Sequence, residues 1–136
     1  KVSDSILNSC IVETPEQEST WIKYHEAHYS CPDKDIQHLL TKKTEAIGPH
    51  TERIDLQACN NFDIMGRLEY LRLPTHIICG SDDNLTPPKY SEYLNSHISE
   101  SKLTLVPNSG HFSQLDSHKM VNQCIETFVS ETKRLT

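Results

Sequence analysis

The sequence predicts an α/β fold, with parallel strands and flanking helices placed after a region made only of helices. Three observations predict it. Two short apolar runs rich in β-branched residues, THIICG (75–80) and KLTLVP (102–107), read as buried strands. The stretch between them is helical in pattern and long enough for a crossover, which makes the two strands parallel. Everything before position 73 carries helical signals, and the chain divides there into residues 1–72 and a βαβα part, 73–136.

The elements follow in order. Residues 3–11 form a first short helix. Thr14-Pro15-Glu16-Gln17 starts a second: Thr14 can cap, Pro15 suits the first turn and Gln17 completes a capping box. Trp21, Tyr24, His25 and His28 then share one face. Pro32 and Asp33 open a third helix with the apolar stripe Ile36, Leu39, Leu40 and Ile47, stopped at Gly48-Pro49. A further helical stretch runs from Thr51 to about Asn60, followed by a short turn through Ile64 and Leu68. After the first strand, Thr86-Pro87-Pro88 starts a helix with Tyr90, Leu94, His97 and Ile98 facing inward. After the second strand, Asp116 caps a final helix with the stripe Met120, Val121, Cys124, Ile125, Phe128 and Val129. Lys133 and Arg134 sit where the helix dipole favours cations.

At 136 residues, 35% hydrophobic and 24% charged, the chain has the composition of one globular domain. The net charge is −6 and no basic stripe or polybasic segment stands out, which argues against nucleic acid and membrane partners. No run approaches the ~18 apolar residues of a transmembrane helix, and the N-terminus lacks the layout of a signal peptide. It also lacks an initiator Met, as an internal start would. Five scattered cysteines (Cys10, Cys31, Cys59, Cys79, Cys124) with no CxxC pair read as buried reduced thiols, which points to the cytoplasm. Two parallel strands do not make an independent sheet, because their outer edges expose unpaired backbone groups. The chain therefore reads as a fragment, completed by another segment of a longer protein or by another copy of itself.

Two loops carry the candidate chemistry. GSDDNLTP (80–87) sets a carboxylate, and NSGHFSQLD (108–116) sets His111, at the carboxyl ends of the two strands, the rim where ligands gather in open α/β folds. Neighbouring strands lie ~4.8 Å apart, so the carboxylate and the imidazole can meet. Such a contact fixes the imidazole tautomer and leaves the second nitrogen to take a proton from a nucleophile. Gly110 would leave room for close approach. The alternative is that Asp82, Asp83 and Asn84 form a turn and His111 is a loop residue. His25-Glu26-Ala27-His28 is one residue short of H-E-x-x-H and has no evident further ligand, so it reads as an amphipathic helix face with no metal.

These residues, from about 58 to 129, resemble the C-terminal portion of an α/β-hydrolase. The similar features are the Pro74-Thr75 opening of a strand, Gly80-x-x-Asp83 followed by Leu85-Thr86-Pro87, and a second strand ending in Gly110-His111-Phe112. The helices before them loosely resemble the family's cap, or lid. The resemblance implies a Ser–His–acid hydrolase in which Asp83, not Asp82, is the acid and His111 the base. It implies an intact enzyme that acts on a small-molecule ester or similar acyl compound, with no metal or organic cofactor. The family also includes carbon–carbon bond hydrolases, haloperoxidase-like enzymes and dehalogenases. No G-x-S-x-G elbow occurs, and neither Ser81 nor Ser109 sits on one. The nucleophile is expected from a segment before the cap, and this chain alone is expected to be a poor catalyst. The rival expectation is a noncatalytic module that self-associates through its open sheet edges.

Overall fold

A computed structural model describes residues 4–28 and 33–133. Readings that fall on Ser3, Cys31, Pro32, Arg134 and the His28 side chain lie outside the described residues. The chain forms two compact units, Lys1–Ile64 and Met65–Thr136.

The first unit is helical. α1 is Asp4–Ser9, α2 Pro15–His28 and α3 Lys34–Asn61. The capping box of α2 is made reciprocally: Gln17 N donates to Thr14 Oγ1 at 3.3 Å and Thr14 N donates to Gln17 Oε1 at 3.0 Å. Asp33 caps α3 by accepting from Asp35 N and Ile36 N. Gly48 interrupts α3 at φ 76°, ψ 156°, a backbone that glycine adopts without strain, and Pro49 follows it. The two arms of α3 are thus the two helices expected on either side of Gly48-Pro49. Trp21 and Cys10 are buried, while Leu39, Ile47 and Ile54 of α3 are exposed.

The second unit opens with a 3₁₀ turn, Met65–Tyr70, that buries Leu68. It continues through β1 (Thr75–Gly80), α4 (Pro88–His97), β2 (Ser101–Val106), the one-turn helix α5 (Ser113–Asp116) and α6 (His118–Lys133). β1 and β2 pair in parallel, from Thr75 opposite Ser101 to Gly80 opposite Val106. Both α4 and α6 pack on both strands. Cys79, Ile98, Val106 and Val121 form the buried core with Leu68.

Three expectations for this unit are corrected. Tyr90 is 51% exposed and His97 is also exposed. The inward face of α4 runs through Ser91, Leu94 and Ile98, three and four residues apart, which puts position 97 on the flank. There His97 stacks on Tyr93 with ring centroids 3.9 Å apart. Asp116 does not cap the final helix. It ends α5, and its carboxylate turns back to accept from Gly110 N at 2.8 Å. The final stripe is also split: Val121 is buried, and Met120, Ile125 and Val129 are exposed.

Candidate active site

The last residue of β1 sets the spacing of the two loops. A Cβ on Gly80 would stand 2.2 Å from the carbonyl oxygens of both Ser109 and Gly110, so only glycine lets β1 run this close to the loop after β2. Three hydrogen bonds then tie the loops together. Ser81 N donates to Val106 O at 2.8 Å, Asp82 N to Ser109 O at 2.9 Å, and Asn108 N to Ser81 Oγ at 3.0 Å. Asn108 takes φ 52°, a left-handed backbone that asparagine tolerates better than most residues. Gly110 is less constrained than expected. A Cβ there would meet only Asp116 Oδ2, at 3.7 Å, an ordinary contact.

The structure brings Asp83 and His111 together: His111 Nδ1 lies 3.0 Å from Asp83 Oδ2. The carboxylate is 5% exposed and the imidazole 28% exposed. Asp83 is held on both oxygens. Oδ1 accepts from Leu85 N at 2.9 Å and Thr86 N at 2.8 Å, and Oδ2 also accepts from Thr86 Oγ1 at 2.8 Å. Burial opposes ionisation of Asp83. The Thr86 N–H, the His111 ring and the Thr86 hydroxyl outweigh it and hold the carboxyl below the ordinary aspartate range. A carboxylate bound at Nδ1 favours the tautomer with its proton on Nδ1 and its lone pair on Nε2.

Neighbouring residues fall into supporting places. Asp82 is exposed and accepts from Ser81 Oγ at 3.0 Å. Ser109 is buried, and its hydroxyl lies 2.9 Å from Ser117 Oγ. Thr86 and Asp116 were not singled out as site residues by the sequence. Thr86 could have been found from its place three residues after Asp83, the reach of a local side-chain-to-backbone turn. Asp116, five residues beyond His111, carried no local signal other than its capping type.

His25 has a partner that the sequence did not reveal. Its Nε2 lies 2.7 Å from Glu52 Oε2, and the same oxygen accepts from Trp21 Nε1. Burial raises the Glu52 pKa, but the His25 and Trp21 hydrogen bonds prevail and hold it below the usual carboxylate range. The Cys10 thiol nearby is pushed up to about 11, first by burial and then by the Glu52 charge. A cavity of about 150 Å³ lies against this cluster, lined by Trp21, His25, Thr44, Ile47, Glu52 and Asp55. Among the described residues, no cluster of three or more His, Cys, Asp or Glu side chains is arranged to hold a metal ion. No helix among them is long and apolar enough to cross a membrane.

The comparisons with known proteins bear on this geometry. A family model described as alpha/beta hydrolase fold matches residues 14–118. Pimeloyl-[acyl-carrier protein] methyl ester esterase of Neisseria meningitidis is 28% identical over 82 residues, which is 59% of this chain and 32% of that protein. Polyketide synthase ThaQ of Burkholderia thailandensis is 30% identical over 79 residues, 58% of this chain and 4% of that protein. An esterase structure from Exiguobacterium antarcticum superposes with TM-score 0.78 at 20% identity, covering 96% of this chain and 47% of that one. The chain thus spans a third or less of these curated relatives and about half of the esterase. The matched span takes in most of the helical unit and both loops of the Asp83–His111 pair, and the chain belongs to the alpha/beta hydrolase fold family.

Proposed function

We propose that this chain is the part of an α/β-hydrolase that carries the acid and the histidine of a Ser–His–Asp triad, with residues 1–72 as its helical cap. His111 acts as general base and then general acid, and Asp83 orients it. The intact protein hydrolyses a carboxylic ester or a similar acyl bond in a small molecule. The observation that carries the reading is the 3.0 Å contact between His111 Nδ1 and Asp83 Oδ2 at the carboxyl ends of adjacent parallel strands. It is the contact a base and its orienting acid must make. The choice of an ester draws on the methyl ester esterase among the relatives.

The nucleophile belongs to a segment outside this sequence, since no G-x-S-x-G occurs here and Ser109 beside the base is buried. That segment would also pair with the open sheet edges. Alone, the chain is inactive. The free thiols of Cys10, Cys59, Cys79 and Cys124 suit a cytoplasmic setting. The test is a serine-directed phosphonate applied to this chain and to a longer protein that includes residues ahead of Lys1. Labelling of the longer protein, lost in His111→Ala, supports the reading. A longer protein that neither labels nor turns over esters sinks it.

One set of observations favours a second reading, a noncatalytic module that self-associates. Leu73, Leu105, Ile125 and Val129 of the second unit are exposed around a sheet of two strands. The mass in solution as a function of concentration addresses it: a concentration-dependent dimer supports self-association, and a monomer at all concentrations rules it out.

A further inference from the structure

We propose that Thr86 is a positioning residue for the Asp83–His111 pair, its hydroxyl holding Asp83 Oδ2 where it meets the imidazole. The inference rests on the hydrolase reading above and extends it to a residue outside the triad.

Thr86 Oγ1 lies 2.8 Å from Asp83 Oδ2 and 3.3 Å from His111 Nδ1, so the three atoms form a triangle. The hydroxyl has one proton, and the shorter contact to a carboxylate takes it. What the hydroxyl then presents to the imidazole is a lone pair. His111 Nδ1–H therefore meets two acceptors, the carboxylate oxygen and the hydroxyl oxygen, and both favour the same tautomer. The two backbone donors fix Asp83 Oδ1 alone, and the hydroxyl fixes the second oxygen and with it the plane of the carboxylate. A β-branched side chain suits the task because its χ1 is stiff.

The competing role for a threonine at this place is helix capping, and α4 does not use it. Its cap residue is Pro87, and no side chain makes a cap hydrogen bond. Thr86 is exposed, so Thr86→Val changes one hydroxyl for a methyl without touching the core, and the Thr86 N–H bond to Asp83 survives it.

The test uses the full 136-residue chain and nuclear magnetic resonance of two groups, the His111 ring nitrogens and the Asp83 carboxyl carbon. In Thr86→Val, exchange of the His111 Nδ1 proton with water should accelerate roughly three- to tenfold, the loss of about one hydrogen bond. The Asp83 midpoint should move up in pH, and Thr86→Ser should restore both. The denaturation midpoint serves as control and should stay in place. Unchanged proton exchange in Thr86→Val, while Asp83→Asn alters it, overturns the role of Thr86 and leaves the pair intact. Asp83→Asn without effect on the ring overturns the pair and Thr86 together. A serine variant that fails to restore exchange while unfolding earlier makes Thr86 merely structural and also overturns the proposal.

Discussion

The pairs His25–Glu52 and His111–Asp83, one in each unit, differ in which imidazole nitrogen is used. Glu52 meets the Nε2 of His25, the nitrogen farthest from the backbone, and a tryptophan N–H shares the same oxygen. Both side chains are enclosed between helices, at 11% and 14% exposure. Asp83 instead meets the Nδ1 of His111, the nitrogen nearest the backbone, from a loop. That contact orients the ring through Nδ1 and favours the tautomer with its lone pair on Nε2. A buried pair that consumes the outer nitrogen acts as a fastener between α2 and the second arm of α3. A pair that engages the inner nitrogen orients the outer one.

The largest expected effect breaks the fastener. Trp21→Ala removes a fully buried ring and a donor to Glu52, and should cost about 3–5 kcal/mol, read by chemical denaturation followed by circular dichroism. The His111 ring resonances, which report the second unit, measure how far the damage stays local. Gly80→Ala comes next. Its Cβ would collide with two backbone oxygens that cannot yield as a flexible side chain would, so a loss of about 1–3 kcal/mol is expected, with the Asp83–His111 coupling weakened in the same spectra. A fully stable Gly80→Ala with the pair intact would mean that the strand end does not set the loop spacing.

Acid should affect both pairs in the same direction. Asp83 and Glu52 are each held below their ordinary values, so their contributions to stability are present above the unfolded values near pH 4 and fade as pH falls through the folded values. Asp83→Asn should flatten this dependence for the second unit only. Trp21 is the single tryptophan, so its fluorescence follows the first unit through the same titration. The smallest effect is expected from Gly110→Ala, within about 0.5 kcal/mol of the parent in denaturation, because only the Asp116 carboxylate stands near the added carbon, at ordinary contact distance.

What the sequence revealed follows from the range of the interactions concerned. The capping box at Thr14, the break at Gly48-Pro49 and both strands are specified by residues within a few positions of one another, and each was legible. The meeting of Asp83 and His111 was legible for another reason. Parallel pairing of two recognised strands brings their ends together whatever lies between. The Glu52 partner of His25 was not legible, because helices packed side by side join residues 27 apart with no pattern in the chain to mark it. Tyr90 is exposed because the buried face of α4 is rotated toward Ser91, Leu94 and Ile98, and the spacing of Tyr90, Leu94, His97 and Ile98 is an equally regular helical stripe that does not distinguish the two faces. Gly110 was given a spatial reason that belongs to Gly80, thirty positions earlier on the neighbouring strand.

The parallel register has a consequence for engineering. Gly80 and Val106 leave the sheet at one level, so the geometry of the pair is written into the strand ends and not into the crossover that joins them. A graft at the exposed Ser99 would lengthen the connection at a cost that grows only slowly, about 0.6 kcal/mol per doubling of loop length. A sensor domain inserted there would couple its own opening to the reassociation of two strands. The imidazole would then serve as a built-in spectroscopic reporter of whether the halves have come together.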